Sequence, residues 1–163
     1  MRQEAFSADP PRKRNSCKAV VFGEGSVLLT RNADAMGDFF LLPGGGQRFG
    51  ETLHEAVMRE TAEETGWLVE PGRLMLVRDY IGSNHCFAGE DGDVHQVELM
   101  FAAEPRGRMD DWKPEPDAWQ TGVDWLELSA LDGVRVYPSV LSKLLPQLAL
   151  GSYRGPVYIG DVN

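Results

Sequence analysis

Three glutamates, Glu60, Glu63 and Glu64, lie within five positions of one another in the sequence. The pattern from Thr52 onward predicts an α-helix, in which residues three and four apart share one face. Advancing about 100° per residue places Glu60 and Glu64 in line with the apolar Leu53, where a solvated charged face is not expected. The carboxylates would repel one another there, and a divalent cation would remove the repulsion. Mg²⁺ prefers such oxygen ligands and takes the remainder from water and from substrate phosphates.

The segments on either side of this cluster are suited to position it. Thr52 and Glu55 form a Ser/Thr-x-x-Glu capping box, which predicts the helix start, and Gly66 supplies a helix stop. Glycines 44–46 precede the helix and allow the backbone to approach a ligand closely. By spacing alone, the acids also fit a surface helix on which they are incidental. The fixed distance from the glycines to the acids favours a site.

A longer pattern contains both features. From Gly45 the chain reads Gly-x5-Glu-x7-Arg-Glu-x-x-Glu-Glu-x-Gly, which resembles the Nudix box, Gly-x5-Glu-x7-Arg-Glu-U-x-Glu-Glu-x-Gly-U, where U is a bulky aliphatic residue. All the fixed letters are present: Gly45, Glu51, Arg59, Glu60, Glu63, Glu64 and Gly66. Thr61 and Trp67 replace the aliphatic residues at the two U positions, which concerns helix packing rather than ligands. The resemblance extends over residues 17–150.

The resemblance implies a fold and a function. The expected fold is α/β (α+β), a Nudix-type α/β/α sandwich with a mixed β-sheet, formed by residues 16–163 as a single domain after a disordered tail, 1–15. The expected activity is Mg²⁺-dependent hydrolysis, with Mn²⁺ as a substitute, of a phosphoanhydride bond in a nucleoside diphosphate linked to another moiety. The alternative is a Nudix-like module that binds a nucleotide or metabolite without turning it over.

The box also suggests roles for its residues. Glu60 and Glu64, one helical turn apart, are the expected metal ligands, and the carbonyl of Gly45, or of Gly44, would add a neutral oxygen. Glu63 is either a third ligand or the base for the attacking water. Arg59 is expected to hold a carboxylate with its two-pronged guanidinium and so to fix its orientation, as a catalytic-site residue.

Acids outside the box are further candidates for the general base. Glu98 lies on a predicted strand, and three others lie in the loop 82–93: Glu90, Asp91 and Asp93. The same residues also fit a sheet-edge acid and solvated loop acids without a chemical role. The sequence leaves this choice open, together with the identity of the substrate, the number of metal ions and the oligomeric state.

The overall charge limits the partners. The formal net charge is −9 with a pI near 4.8, which disfavours nucleic acid and anionic membranes as partners and argues against RNA decapping. A small nucleotide-derived substrate would also be repelled unless a cation bridges it to the protein. No apolar run approaches the roughly 18–20 residues of a membrane span, and we expect a cytoplasmic protein. The resemblance allows a homodimer.

The remaining sequence predicts mainly strands. Segments 17–22 and 26–31 flank Gly23-Glu24-Gly25 and predict a hairpin. Segments 74–81, 94–103 and 123–128 are strand-like, whereas 104–122 has the composition of a long surface loop. A final helix is expected from Pro138 to about Leu150.

Overall fold

The computed structural model describes residues 13–114 and 119–163. Their strands are β1 (Lys13–Val20), β2 (Ser26–Asp34), β3 (Gly37–Leu41), β4 (Gly44–Gly46), β5 (Trp67–Ile81), β6 (His95–Arg108), β7 (Gln120–Glu127), β8 (Val136–Tyr137) and β9 (Tyr158–Asp161). The α-helices are α1 (Leu53–Thr65), α2 (Ala88–Asp91) and α3 (Leu141–Ala149), and 3₁₀ turns span Gly82–Asn84 and Leu128–Gly133. The α+β class predicted from the sequence is confirmed.

The strands form two sheets, with the orders β4-β1-β6-β5-β9 and β7-β2-β3-β8. Both sheets are mixed: β1 runs parallel to β6 while β5 runs antiparallel to β6, and β3 runs antiparallel to β2 but parallel to β8. The short strand β4 lies at an edge of the first sheet, where α1 follows it in the chain and packs on β1, β4 and β5. This edge is where the candidate site is built.

The hydrophobic core of the described residues consists of two clusters, and the side chains of β1 point alternately into one and the other. Cys17 and Ala19 belong to a cluster that packs against Ala56 and Val57 of α1. Val20 belongs to the other cluster, which contains residues of both sheets and of α3. Because successive side chains of a strand point to opposite faces, even-numbered residues of β1 face away from α1.

Two predictions near the N-terminus require correction. β1 begins at Lys13, so residues 13–15 pair with His95, Gln96 and Val97 of β6 rather than belonging to a disordered tail. The rest of the predicted tail, 1–12, lies outside the described residues. The expected hairpin is reduced to a Phe22–Val27 bridge, because β1 and β2 enter different sheets.

The predicted loop 104–122 and the last helix also differ from expectation. β6 continues to Arg108 because its end pairs with the start of β5, Trp67 opposite Arg108, and β7 already begins at Gln120. Residues 115–118 lie outside the described residues. α3 begins at Leu141 rather than at Pro138, and Pro146 lies inside it.

The two departures from the Nudix box are accommodated in the packing of α1. Thr61 is fully buried, and the ring of Trp67 meets that of Trp125 edge-on at 5.3 Å. Both positions therefore face the protein interior, as expected for U positions. Within the described part of the chain, no helix is both long enough and apolar enough to cross a membrane.

Candidate active site

Helix α1 is fixed at both ends by the caps that the sequence predicts. Thr52 accepts a hydrogen bond from the backbone N–H of Glu55 at 3.2 Å, and the Glu55 carboxylate accepts one from the N–H of Thr52 at 2.7 Å. Gly66 ends the helix at φ 71°, donating its N–H to Ala62. The rotation of the helix is set by buried Ala56 and Val57. The caps and the buried face together determine where its glutamates point.

The strand β4 is a strip of glycine against which the helix carboxylates lie. It pairs antiparallel with β1, Gly44 opposite Lys18 and Gly45 opposite Cys17. A Cβ on Gly44, at φ +137°, would lie 2.0 Å from the Cys17 carbonyl oxygen, and a Cβ on Gly45 would lie 2.6 Å from a carboxylate oxygen of Glu60. Only glycine at these two positions allows such close approach of backbone and carboxylate.

The three glutamates of the sequence motif lie along this strip. Glu64 accepts a hydrogen bond from the N–H of Gly44 at 2.9 Å. Glu60 lies over the neighbouring residue, Gly45. Glu63 is farther out, with a side chain that is 40% exposed. The carbonyl of Gly44, one of the two predicted neutral ligands, accepts a 2.6 Å hydrogen bond from Lys18.

Arg59 ties the helix to the loop before it. Its Nε and Nη2 donate to the two carboxylate oxygens of Glu51 at 2.6 and 2.9 Å, and Nη2 also donates to the carbonyl of Gly46 at 3.0 Å. Its Nη1 donates to Glu60 at 2.6 Å and to Glu63 at 3.2 Å. The hydrogen bonds that Arg59 donates to Glu51 lower the pKa of Glu51 to about 2. Glu51 in turn raises the pKa of Arg59 above its ordinary value. Arg59 therefore holds carboxylates, as its position in the motif predicts.

Whether this site can hold a divalent metal ion depends on the type and the spacing of its side-chain ligands. Among the described residues, no group of three or more His, Cys, Asp or Glu side chains is spaced to hold a metal ion. Arg59 supplies positive charge among the acids in this arrangement. Glu60 and Glu64 nevertheless reach adjacent glycines of one strand, and half-exposed Glu63 lies beside them. Such carboxylate oxygens suit Mg²⁺ and Mn²⁺.

Glu98 is placed differently from the sheet-edge acid that the sequence allowed. It lies on β6, in the middle of the first sheet, and is 5% exposed. Arg78 donates to one carboxylate oxygen at 2.6 Å and Gln96 to the other at 2.9 Å. Burial alone would raise the pKa of Glu98, but Arg78 and Lys18 outweigh it and hold the pKa below its ordinary value.

Two of the three loop acids lie in the wall of a cavity. Glu90 and Asp91, of α2, line this cavity, and Asp91 accepts a 2.7 Å hydrogen bond from Tyr80. Asp93 is exposed beyond α2. Among the described residues, none of the three has a hydrogen bond to Glu60 or Glu63.

The cavity has a volume of about 710 Å³ and includes residues from both sheets. Three aromatic rings of its wall, from Phe39, Phe87 and Tyr137, meet with centroids 5.1 to 5.9 Å apart. Lys18 also lines it, next to the glycine strip. The sequence analysis missed these residues. Lys18 alone carried a signal, as a charged residue in the otherwise apolar run 17–22.

Comparisons with known proteins agree with this architecture. The sequence model of the NUDIX domain matches residues 12–147, and the chain belongs to this family. It is 30% identical over 137 residues to an 8-oxo-dGDP phosphatase of Homo sapiens, covering 78% of this chain and 38% of that protein. It is 27% identical over 155 residues to an RNA pyrophosphohydrolase of Gluconacetobacter diazotrophicus, covering 77% of this chain and 83% of that protein.

The similarity covers only part of some relatives. The chain spans 38% of the human protein and 35% of a Bacillus subtilis relative, with which it is 33% identical over 75 residues. Among solved structures, a MutT NUDIX hydrolase from Burkholderia pseudomallei superposes with a TM-score of 0.64 at 26% identity, over 84% of this chain and 98% of that one. A NUDIX hydrolase from Nitrosomonas europaea superposes with a TM-score of 0.68 at 16% identity, over 89% and 98%, which concerns the fold alone.

Proposed function

We propose that this chain is a Mg²⁺-dependent hydrolase, with Mn²⁺ able to substitute, that cleaves a phosphoanhydride bond in a nucleoside diphosphate linked to another moiety. The observation that carries the proposal is the position of Glu60 and Glu64 on the glycine strip, beside a cavity of about 710 Å³. That volume lies within the range of small-molecule sites. The names of the human and Gluconacetobacter relatives, a phosphatase and a pyrophosphohydrolase, support this class of chemistry.

We assign each residue of the site a role in this reaction. Glu60 and Glu64 would hold the metal ion, with the Gly45 carbonyl as a neutral ligand and Glu63 as a third ligand or as the base. A bound divalent ion would polarise a phosphoryl oxygen and lower the pKa of a bound water. Arg59 keeps the Glu60 carboxylate in place through its 2.6 Å hydrogen bond.

Glu63 is the better candidate for the base than Glu98. A base must exchange its proton, and Glu98 is buried, with both carboxylate oxygens engaged and its pKa lowered. Glu63 is half-exposed beside Glu60. We expect Glu63→Gln to lower kcat by about 10²-fold or more without loss of fold. Glu98→Gln should instead destabilise the fold by about 3 kcal/mol because it leaves Arg78 without its charged partner; the reverse pattern would assign the base to Glu98.

A substrate panel tests the activity. The protein is incubated with Mg²⁺ and ADP-ribose, nucleoside triphosphates, 8-oxo-dGDP, nucleotide sugars and dinucleoside polyphosphates, and products are followed by phosphorus NMR in ¹⁸O-labelled water. We expect turnover of at least one member, with label in one product phosphate, and loss of turnover in Glu64→Gln. An exposed acid, Glu104→Gln, serves as the charge-matched control. Turnover that survives Glu60→Gln combined with Glu64→Gln would refute the metal assignment.

Two other outcomes favour different functions. No turnover by wild type, with a nucleotide that binds equally well to Glu64→Gln, would favour the non-catalytic binding module. The Gluconacetobacter relative, an RNA pyrophosphohydrolase, is the reason to add 5′-triphosphorylated RNA to the panel. The net charge of −9 leads us to expect the small nucleotides to be better substrates.

The proposal also includes a cytoplasmic location and a homodimer. Light scattering coupled to gel filtration tests the second point, since a dimer would elute with twice the mass of 18.1 kDa.

A further inference from the structure

Two cations line the cavity, Lys18 and Arg78, and only Arg78 forms an ion pair among the described residues. Arg78 is paired with Glu98 at 2.6 Å, and Asp34 is paired with Arg135, also at 2.6 Å. Within residues 13–114 and 119–163, Lys18 has no carboxylate at ion-pair distance, and its ammonium donates instead to the neutral Gly44 carbonyl at 2.6 Å. Its charge acts on Glu98 from a distance, but no described carboxylate neutralises it by direct contact, and its side chain faces the cavity where a ligand can reach it.

The position of Lys18 connects the cavity to the glutamates. Gly44 accepts from Lys18 through its carbonyl at 2.6 Å and donates its N–H to Glu64 at 2.9 Å. One glycine residue therefore separates the ammonium group from a proposed metal ligand, a path of no more than about 10 Å by standard bond lengths. An ammonium has three donors, so two remain for a ligand after the bond to Gly44.

The burial of Lys18 strengthens its effect on an anion. It is half-buried on β1, between fully buried Cys17 and Ala19, and its side chain lies on the face of the sheet that carries Glu98. A charge in such a partly desolvated position interacts more strongly than one on the surface. In a protein of net charge −9, a cation at the cavity end of the glycine strip is placed to offset repulsion of an incoming anion.

We propose that Lys18 binds the non-bridging oxygens of the substrate phosphate on the cavity side of the scissile bond. It thereby sets which phosphorus lies over Glu60 and Glu64, and it acts as a substrate-binding and specificity-determining residue. This inference rests on the proposed function, but it predicts a binding property that exists without turnover: a diphosphate anion binds here without metal, and the affinity depends on Lys18.

The test compares four proteins: wild type, Lys18→Met, Lys18→Arg, and Lys143→Met. Lys143 is exposed on α3, so the last variant removes the same charge away from the cavity. Binding of methylenediphosphonate, a diphosphate analogue with a non-hydrolysable bridge, is measured by calorimetry in the presence of EDTA. KM and kcat are measured with whichever substrate of the panel is turned over, and Mn²⁺ affinity and thermal stability are measured for each variant.

We expect Lys18→Met to weaken methylenediphosphonate binding and to raise KM by about 10- to 100-fold, the worth of a charge-assisted hydrogen bond. Lys18→Arg should recover most of this loss and Lys143→Met should show none. Mn²⁺ affinity should stay unchanged or rise in Lys18→Met. A role limited to holding Gly44 would instead lower Mn²⁺ affinity and thermal stability while leaving diphosphonate binding unchanged.

Failure of this inference is distinguishable from failure of the proposed function. Wild type that binds no methylenediphosphonate, or Lys18→Met that binds it as tightly as wild type, overturns the role of Lys18 even if the panel shows turnover. Lys18-dependent binding in a protein that turns nothing over supports the inference and refutes the hydrolase.

Discussion

Arg59 and Glu51 are joined by two hydrogen bonds, Nε to Oε1 at 2.6 Å and Nη2 to Oε2 at 2.9 Å. The same guanidinium reaches Glu60 at 2.6 Å. A carboxylate on the loop before α1 is thereby connected to a proposed metal ligand on the helix. Because the planar guanidinium is held by Glu51, it can in turn fix the orientation of Glu60.

Arg59→Lys tests this connection. Lysine keeps the charge but lacks the planar fork, so it cannot bridge Glu51, Glu60 and the Gly46 carbonyl together. We expect activity or Mn²⁺ affinity to fall about 10- to 100-fold. Arg106→Lys, at an exposed ion pair with Glu70, is the matched control and should retain both. Equal activity of the two variants would contradict the positioning role.

The Arg59–Glu51 pair also predicts how stability depends on pH. The pKa of Glu51 is lowered from 4.5 to about 2, so the folded state binds this proton less readily than the unfolded state. The stabilisation is present above pH 4.5 and is lost as the pH falls towards 2. Urea unfolding at pH 5, 4 and 3 should show a shallower decline for Glu51→Gln than for wild type. Glu24→Gln, on an exposed turn, should follow wild type; a parallel decline in all three would contradict the assignment.

Alanine substitutions at the neighbouring glycines Gly44 and Gly45 of β4 should have different effects on activity and stability. In Gly45→Ala the new Cβ meets the Glu60 carboxylate at 2.6 to 2.9 Å, and the side chain can move aside. We expect activity to fall at least tenfold with little change in melting temperature. In Gly44→Ala the Cβ meets the backbone of Cys17 at 2.0 Å, at φ +137°, and we expect destabilisation by more than about 2 kcal/mol.

Gly133→Ala provides the control for both substitutions, because its Cβ would meet nothing within 4 Å. Activity assays and thermal melts distinguish the two effects. An active, stable Gly45→Ala variant would show that Glu60 need not lie against the strip.

Thr61, which stands where the box has an aliphatic residue, leads to a prediction about stability. It is fully buried, and its hydroxyl has no hydrogen-bond partner within the described part of the chain. Thr61→Val keeps the shape and removes the unsatisfied group, so we expect the free energy of unfolding to rise by about 1 kcal/mol. Thr65→Val should lower it, because that hydroxyl donates to the Thr61 carbonyl at 2.6 Å and accepts from the N–H of Trp67 at 3.1 Å. Urea unfolding of both variants provides the measurement.

Local sequence determined the parts of this protein that depend on near neighbours along the chain. The capping box of Thr52 and Glu55 and the stop at Gly66 fix α1 because each needs only residues within one or two helical turns. The spacing from Gly45 to Glu64 predicted one site, but the contact of Glu64 with Gly44 joins residues 20 positions apart and needs the folded loop between them. The metal-binding and catalytic roles of the carboxylates remain predictions.

Tertiary structure alone decided what depends on distant segments. The separation of β1 and β2 into two sheets, and the extension of β6 opposite Trp67, follow from pairing between strands far apart in the chain. The same holds for Glu98, whose burial against Arg78 shows only when β5 and β6 are side by side. Lys18 was one charged residue in an apolar run. Its place between the cavity and Gly44 appears only when β4 pairs with β1 and the two sheets come together, because such proximity is set by packing rather than by spacing.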